Sequence, residues 1–208
     1  MKKIYVYVLD TMAEWEVGNI LQAFSMENML KKGNVEFEVK TVGMTKDPVR
    51  TIGGLTITPD CTLSEMDEEN MVALLLPGAD TWAAKENEEI LNKIPDYLET
   101  EILVGAICGA TLALADLGTF NKYKHTSNSL AFLKMFSKKY TREDLYQNVP
   151  AFRDKNLITA NSASGLLWAK EILVYLDVYS KEMLDLWYLY FSTGDSQYYM
   201  DLLALASK

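Results

Sequence analysis

The sequence predicts an α/β fold with a mostly parallel central sheet, and three observations carry that prediction. Residues 4–9, 71–76 and 102–107 are short, wholly apolar runs of the kind that both faces of a parallel sheet bury. Stretches with helical spacing follow each of them, so strand and helix alternate along the chain. Glycine and proline punctuate the joints, as at Pro77-Gly78 and Gly118.

Taken in order, Ile4-Tyr5-Val6-Tyr7-Val8-Leu9 predicts a central strand. Val17, Ile20, Leu21 and Phe24 then recur at helical spacing, predicting a helix over 14–32 that stops at Gly33. Val35 to Lys40 alternates with period two and predicts a strand near an edge with one wet face. Residues 49–58, interrupted by Gly53-Gly54, read as a hairpin. A strand over 71–76, a helix over 87–99 kinked or broken at Pro95, and a strand over 102–107 come next. A helix over 109–117 ends at Gly118, a short strand covers 156–160, and a helix covers 164–176. The tail, residues 180–208, carries Leu184, Trp187, Tyr190, Phe191, Tyr198, Tyr199 and Leu202, predicting two aromatic-rich helices parted by Ser192-Thr193-Gly194-Asp195. We expect residues 1–179 to form the α/β domain and 180–208 to be a helical extension of it, packed on the sheet layer or facing a second copy.

Composition excludes several function classes. The chain has 208 residues, 49% apolar and 24% charged, which fits a globular protein and no disordered or fibrous one. Twenty-nine acidic against 20 basic residues give a net charge of −9, and no Lys/Arg block offsets it, so nucleic-acid and anionic-membrane partners are not expected. No apolar run approaches the roughly 18 residues of a membrane span. Two cysteines in unlike contexts and one histidine provide neither a disulfide framework nor a zinc pattern, so no metal is expected and a reducing cytoplasm is the expected setting. With no phosphate loop or dinucleotide fingerprint, no cofactor is expected either.

The chemistry concentrates at Val104-Gly105-Ala106-Ile107-Cys108-Gly109-Ala110-Thr111. An apolar strand there runs straight into a small-residue helix start with a thiol at the junction, the pattern of a nucleophile elbow. Gly105, Gly109 and Ala110 leave room for the tight turn. Amides at the helix start predict a lowered thiol pKa at Cys108. A buried cysteine that only packs is an equally good reading of the spacing alone. Trp82, like Cys108, follows a strand's carboxyl end, where open α/β sheets bind ligands, so it is a pocket candidate. Cys61 reads as a loop residue after the hairpin, and the acidic run 65–69 as a solvated face.

Ala106-Ile107-Cys108-Gly109-Ala110, Leu76-Pro77-Gly78-Ala79 and Ala13-Glu14-Trp15-Glu16 together resemble the DJ-1/PfpI (ThiJ/PfpI) superfamily in order and spacing over residues 3–177. Lys46-Asp47-Pro48-Val49 and Ile158-Thr159-Ala160-Asn161 add to the likeness. The resemblance implies a class I glutamine amidotransferase-like, flavodoxin-like sandwich, a homodimer, and a small-molecule ligand or substrate. It implies that Cys108 is the reactive cysteine, Glu16 the acid that hydrogen-bonds it, and the backbone amides of Gly109 and Ala79 the oxyanion hole. Ala79 departs from the family's second glycine, but an amide survives the change. The slot where many members carry a histidine falls on Asn128, an amide with no basic character, while the single histidine, His125, lies three residues earlier. Two readings stay open: a small-molecule hydrolase, amidotransferase-like or oxidant-responsive protein, and a silent binding or regulatory module that has lost its base.

Overall fold

The computed structural model describes residues 1–26, 29 and 36–207. Its central sheet has the order β5 (Cys61–Thr62), β2 (Phe37–Gly43), β1 (Lys2–Tyr7), β6 (Met71–Leu76), β7 (Leu103–Ile107), β9 (Leu157–Ala160) and β8 (Ala151–Asp154). All neighbours are parallel except β8, which runs antiparallel to β9. The apolar runs make the middle of the sheet: β6 and β7 are covered on both faces, and Ile4, Val6, Leu74, Leu75, Val104 and Ile107 are buried. A separate hairpin joins β3 (Val49–Arg50) to β4 (Thr56–Ile57), with Gly54 in the left-handed region at φ +92°.

Helices cover the two faces in groups. On one side α1 (Gly18–Ser25) packs on α5 (Gly165–Tyr175), and α5 on α6 (Lys181–Thr193); on the other, α3 (Gly109–Leu117) touches both α2 (Glu88–Glu99) and α4 (Leu130–Phe136). The last helix, α7 (Ser196–Ala206), packs on α6. Ser180 and Asp195 cap these two helices by accepting from the Met183 and Gln197 amides. The wholly buried Trp187 donates to Gln22 at 2.8 Å, and this tethers the tail to α1.

The structure corrects several expectations in detail. The helix expected over 14–32 starts as a 3-10 turn (Glu14–Val17) and α1 ends at Ser25; Lys32, Gly33 and Val35 lie outside the described residues. Pro95 does not break α2, because Ile90, Ile94, Tyr97 and Leu98 bury one face of it and outweigh the one lost backbone bond. β2 lies one strand in from the edge, which is the two-residue β5, and Cys61 belongs to that strand instead of a loop. Its thiol is buried and donates to the Thr41 carbonyl at 3.7 Å.

The sheet and α5 meet closely at Gly105 in β7. A Cβ there would lie 2.9 Å from Trp168 Cζ2 and 3.0 Å from Leu75 Cδ2. Gly105→Ala should therefore overpack the interface between the sheet and α5 and destabilise the fold by about 1–3 kcal/mol, read from urea denaturation. Adding Trp168→Phe, which shortens the clashing ring, should restore part of that loss.

Candidate active site

The strands β1, β6 and β7 end side by side, and the loops leaving their carboxyl ends supply the site. Cys108 occupies the joint between β7 and α3 with φ 56° and ψ −122°, a conformation side chains rarely adopt. Its N–H donates to the Ala160 carbonyl, and the Thr111 hydroxyl donates back to the Cys108 carbonyl, so the joint is held from both sides. Close approach of the loop after β6 makes glycine necessary at 109: a Cβ there would lie 2.7 Å from the Ala79 carbonyl oxygen and 3.1 Å from its nitrogen. The Gly109 and Ala79 backbones expected to bind an oxyanion are thus neighbours, and the Gly109 N–H reaches the thiol.

Glu16 comes from the 3-10 turn after β1 and is buried at 1% exposure, not solvated. Its Oε2 accepts the Gly78 N–H at 2.7 Å, and among the described residues Oε1 is a buried oxygen without a hydrogen-bond partner. Carboxyl and thiol converge on Gly78, where a Cβ would lie 2.9 Å from Oε2 and 3.0 Å from Cys108 Sγ. Asn128 approaches from the far side. Its Oδ1 accepts the Ser162 N–H at 2.9 Å, and this turns the NH₂ group toward Cys108, donating to Sγ at 3.5 Å.

Burial pushes the Glu16 carboxyl up from its ordinary range, against the pull of the Gly78 N–H. Burial also pushes the Cys108 thiol up, while the Asn128 amide and the Gly109 N–H pull it down and a Glu16 carboxylate pushes it further up. The lowered thiol pKa expected from the helix start is therefore not met: desolvation outweighs the helix amides. Two neighbouring acids both raised by burial titrate as a pair, the second negative charge being the costly one.

His125 is not at the pocket. It is buried and stacked on Phe120 at 4.0 Å, with Nδ1 hydrogen-bonded to the Tyr123 carbonyl at 2.8 Å and Nε2 to the Tyr140 hydroxyl at 2.9 Å. Burial lowers its pKa. A bridge from His125 to Tyr146 fixes the segment, so its ring faces an aromatic box while Asn128 faces the thiol. Trp82 does line the pocket, held by Nε1 donation to the Pro77 carbonyl at 2.9 Å.

The pocket over Cys108 has a volume of about 800 Å³. Sequence reasoning missed two parts of it. Ser162 was legible in principle, because it follows the carboxyl end of β9 as Cys108 follows β7. The helix α4 was signalled by Ser129, whose hydroxyl caps it by accepting the Phe132 N–H at 2.9 Å. Among the described residues no group of three or more His, Cys, Asp or Glu side chains could hold a metal ion, and no helix is long and apolar enough to cross a membrane.

A model of the DJ-1/PfpI family matches residues 2–174. The chain belongs to this family. A relative in Bacillus subtilis (strain 168), named as the uncharacterized protease YoaZ, is 37% identical over 202 residues, covering 97% of this chain and 96% of its own. A second from the same organism, the uncharacterized protease YdeA, is 30% identical over 186 residues, 89% of this chain and 88% of its own. Among solved DJ-1/PfpI structures, a thiJ/pfpI family protein from Bacillus anthracis superposes with a TM-score of 0.92 at 38% identity, covering 98% of this chain and 96% of that one. The DJ-1 superfamily protein Atu0886 from Agrobacterium tumefaciens reaches a TM-score of 0.79 at 26% identity, covering 94% of this chain and all of that one.

Two substitutions separate the charges around the thiol. Asn128→Asp keeps the acceptor for Ser162 but replaces the donor to Sγ with a negative oxygen. Alkylation of Cys108 at pH 7 should slow about tenfold and its pH midpoint rise. Glu16→Gln removes the carboxylate that pushes the thiol up, so that midpoint should fall. For stability the sign follows from Glu16 being raised on folding: its contribution is full below the ordinary carboxyl pKa and is lost as pH rises through the folded value. The melting temperature of Glu16→Gln relative to wild type should therefore be higher at pH 8 than at pH 4, as thermal scans at the two pH values will read.

Proposed function

We propose that this chain is a small-molecule hydrolase or amidotransferase-like enzyme whose nucleophile is Cys108 and whose proton carrier is Glu16. The observation that carries the reading is convergence: the Glu16 carboxyl, the Asn128 NH₂ and the Gly109 N–H meet at one sulfur on the floor of a large pocket. A carboxyl raised by burial is better matched to accepting a thiol proton than an ordinary one, so Glu16 fills the place of the missing histidine. In this reaction the thiol proton passes to Glu16 as sulfur attacks a carbonyl carbon. The new oxyanion is met by the Gly109 and Ala79 amides, and the proton then goes to the leaving group as its bond to carbon breaks. Water releases the acyl group in a second step. The relatives named as proteases support a hydrolytic class of reaction. The reading includes a homodimer in the cytoplasm, supported by family membership and by two free cysteines.

One observation favours a second reading. His125 is locked away from the thiol, and a protein of this family without its histidine base can serve as a catalytically silent binding or regulatory module. A panel of small amides, esters and 2-oxoaldehydes separates the two. Wild type should turn over at least one class, Cys108→Ala should lose about 10³-fold or more, and Glu16→Ala about 10²-fold or more. His125→Ala should stay within a few-fold of wild type wherever it folds. A panel with no turnover at all favours the module, and turnover that survives Cys108→Ala removes Cys108 as the nucleophile.

A further inference from the structure

The pocket has a direction as well as a volume. Gly109, Leu112, Ala113, Asp116 and Leu117 line it, and they sit at i, i+3, i+4, i+7 and i+8 along α3. That spacing is one face of a helix, so α3 forms a floor that starts at the nucleophile and runs away from it for about 12 Å at 1.5 Å per residue. Leu91 of α2 forms one wall, and Phe132 and Phe136 of α4, one turn apart, form the other. Phe136 is 56% exposed. Trp15, Ile52 and Trp82 also line the space. The charges on the lining are lopsided. Among the described residues, the carboxyls of Asp80, Glu88 and Asp116 stand beside Glu16 on the lining, against the ammonium of Lys139.

We propose that the groove along α3 is an acyl-chain subsite, and that the substrates are uncharged acyl compounds with a medium-length alkyl or aryl-alkyl chain. The carbonyl lies at Cys108 and the chain lies on Leu112 and Ala113 between Leu91 and Phe132. This rests on the thiol chemistry proposed above and adds to it the substrate class. Burial of apolar surface supplies the selectivity for length, and the cost of stripping water from a charged end inside an apolar groove supplies a bias against chains that end in carboxylate. For an ester, the sulfur–acyl bond forms, the acyl–oxygen bond breaks, the alcohol leaves with the thiol proton delivered through Glu16, and water then frees the carboxylic acid and restores the thiol.

Alkyl chloromethyl ketones test the subsite without requiring turnover. Sulfur displaces chloride on the carbon beside the carbonyl, and the rate reports whether the chain is held next to Cys108. Rates are measured for chloroacetone, 1-chlorodecan-2-one and a chain of equal length ending in carboxylate, each divided by its rate with a free thiol. Iodoacetamide serves as a chain-free control. The decanone should label Cys108 about 100-fold or more faster than chloroacetone, and the carboxylate-ended reagent should lose most of that gain. Ala113→Phe should fill the groove and abolish the chain-length dependence. Phe136→Ala, at an exposed wall position, should reduce it several-fold and serves as the second variant if the first does not fold. Equal normalised rates for short and long reagents, with iodoacetamide still labelling Cys108, overturn the subsite and leave the thiol reading standing. Failure of every reagent to label Cys108 overturns both.

Discussion

The arrangement depends on one backbone constraint: Cys108 is held at φ 56° where β7 turns into α3. A non-glycine residue in such a conformation costs about 1–3 kcal/mol, and it persists only where the surroundings leave no alternative. Here β7 is buried along its whole length and paired on both sides, and the small faces of Gly109 and Ala79 lie against each other behind it. Relaxing the turn would pull the strand out of register or drive α3 into the neighbouring loop. Held in place, the turn lifts the sulfur above the sheet edge, where the Glu16 and Asn128 side chains from two other segments reach it.

What those side chains do is set by a balance between solvation and hydrogen bonding. The pocket floor is dry enough to raise a thiol and a carboxyl together, and the donors from Asn128 and Gly109 recover only part of the lost hydration. A single negative charge on the pair is tolerable and a second is not. In the reaction we propose, loss of the thiol proton is coupled to its capture by Glu16, with no imidazole needed. His125 contributes to packing, as one face of an aromatic box with both ring nitrogens engaged.

Much of this was legible in the sequence, and what was not has definite physical reasons. The buried strands were readable because parallel strands in mid-sheet are apolar throughout, and the elbow because Ile107-Cys108-Gly109 joins strand to helix without a spacer. Glu16 and Asn128 followed from motif order and counting. β5 and β8 escaped because they have two and four residues and no apolar run. Pro95 misled because tertiary burial of four neighbours overrides a local rule. The direction of the thiol shift was not readable, since helix amides are a local feature whereas desolvation is a property of the assembled pocket. The groove along α3 needs three helices brought together, and no one of their sequences carries it.

The central claim is that Cys108 is a chemically addressable nucleophile at the floor of an open pocket and Cys61 is a packed side chain. Competitive labelling of the folded protein by iodoacetamide, with the site of modification mapped by mass spectrometry, tests this most directly. The account predicts that Cys108 is modified first across the neutral to mildly alkaline range, with a rate that rises with pH to a midpoint above about 8.5, the ordinary thiol value, while Cys61 reacts appreciably only once the protein unfolds. Faster modification of Cys61, or a Cys108 that resists until denaturant is added, would contradict it.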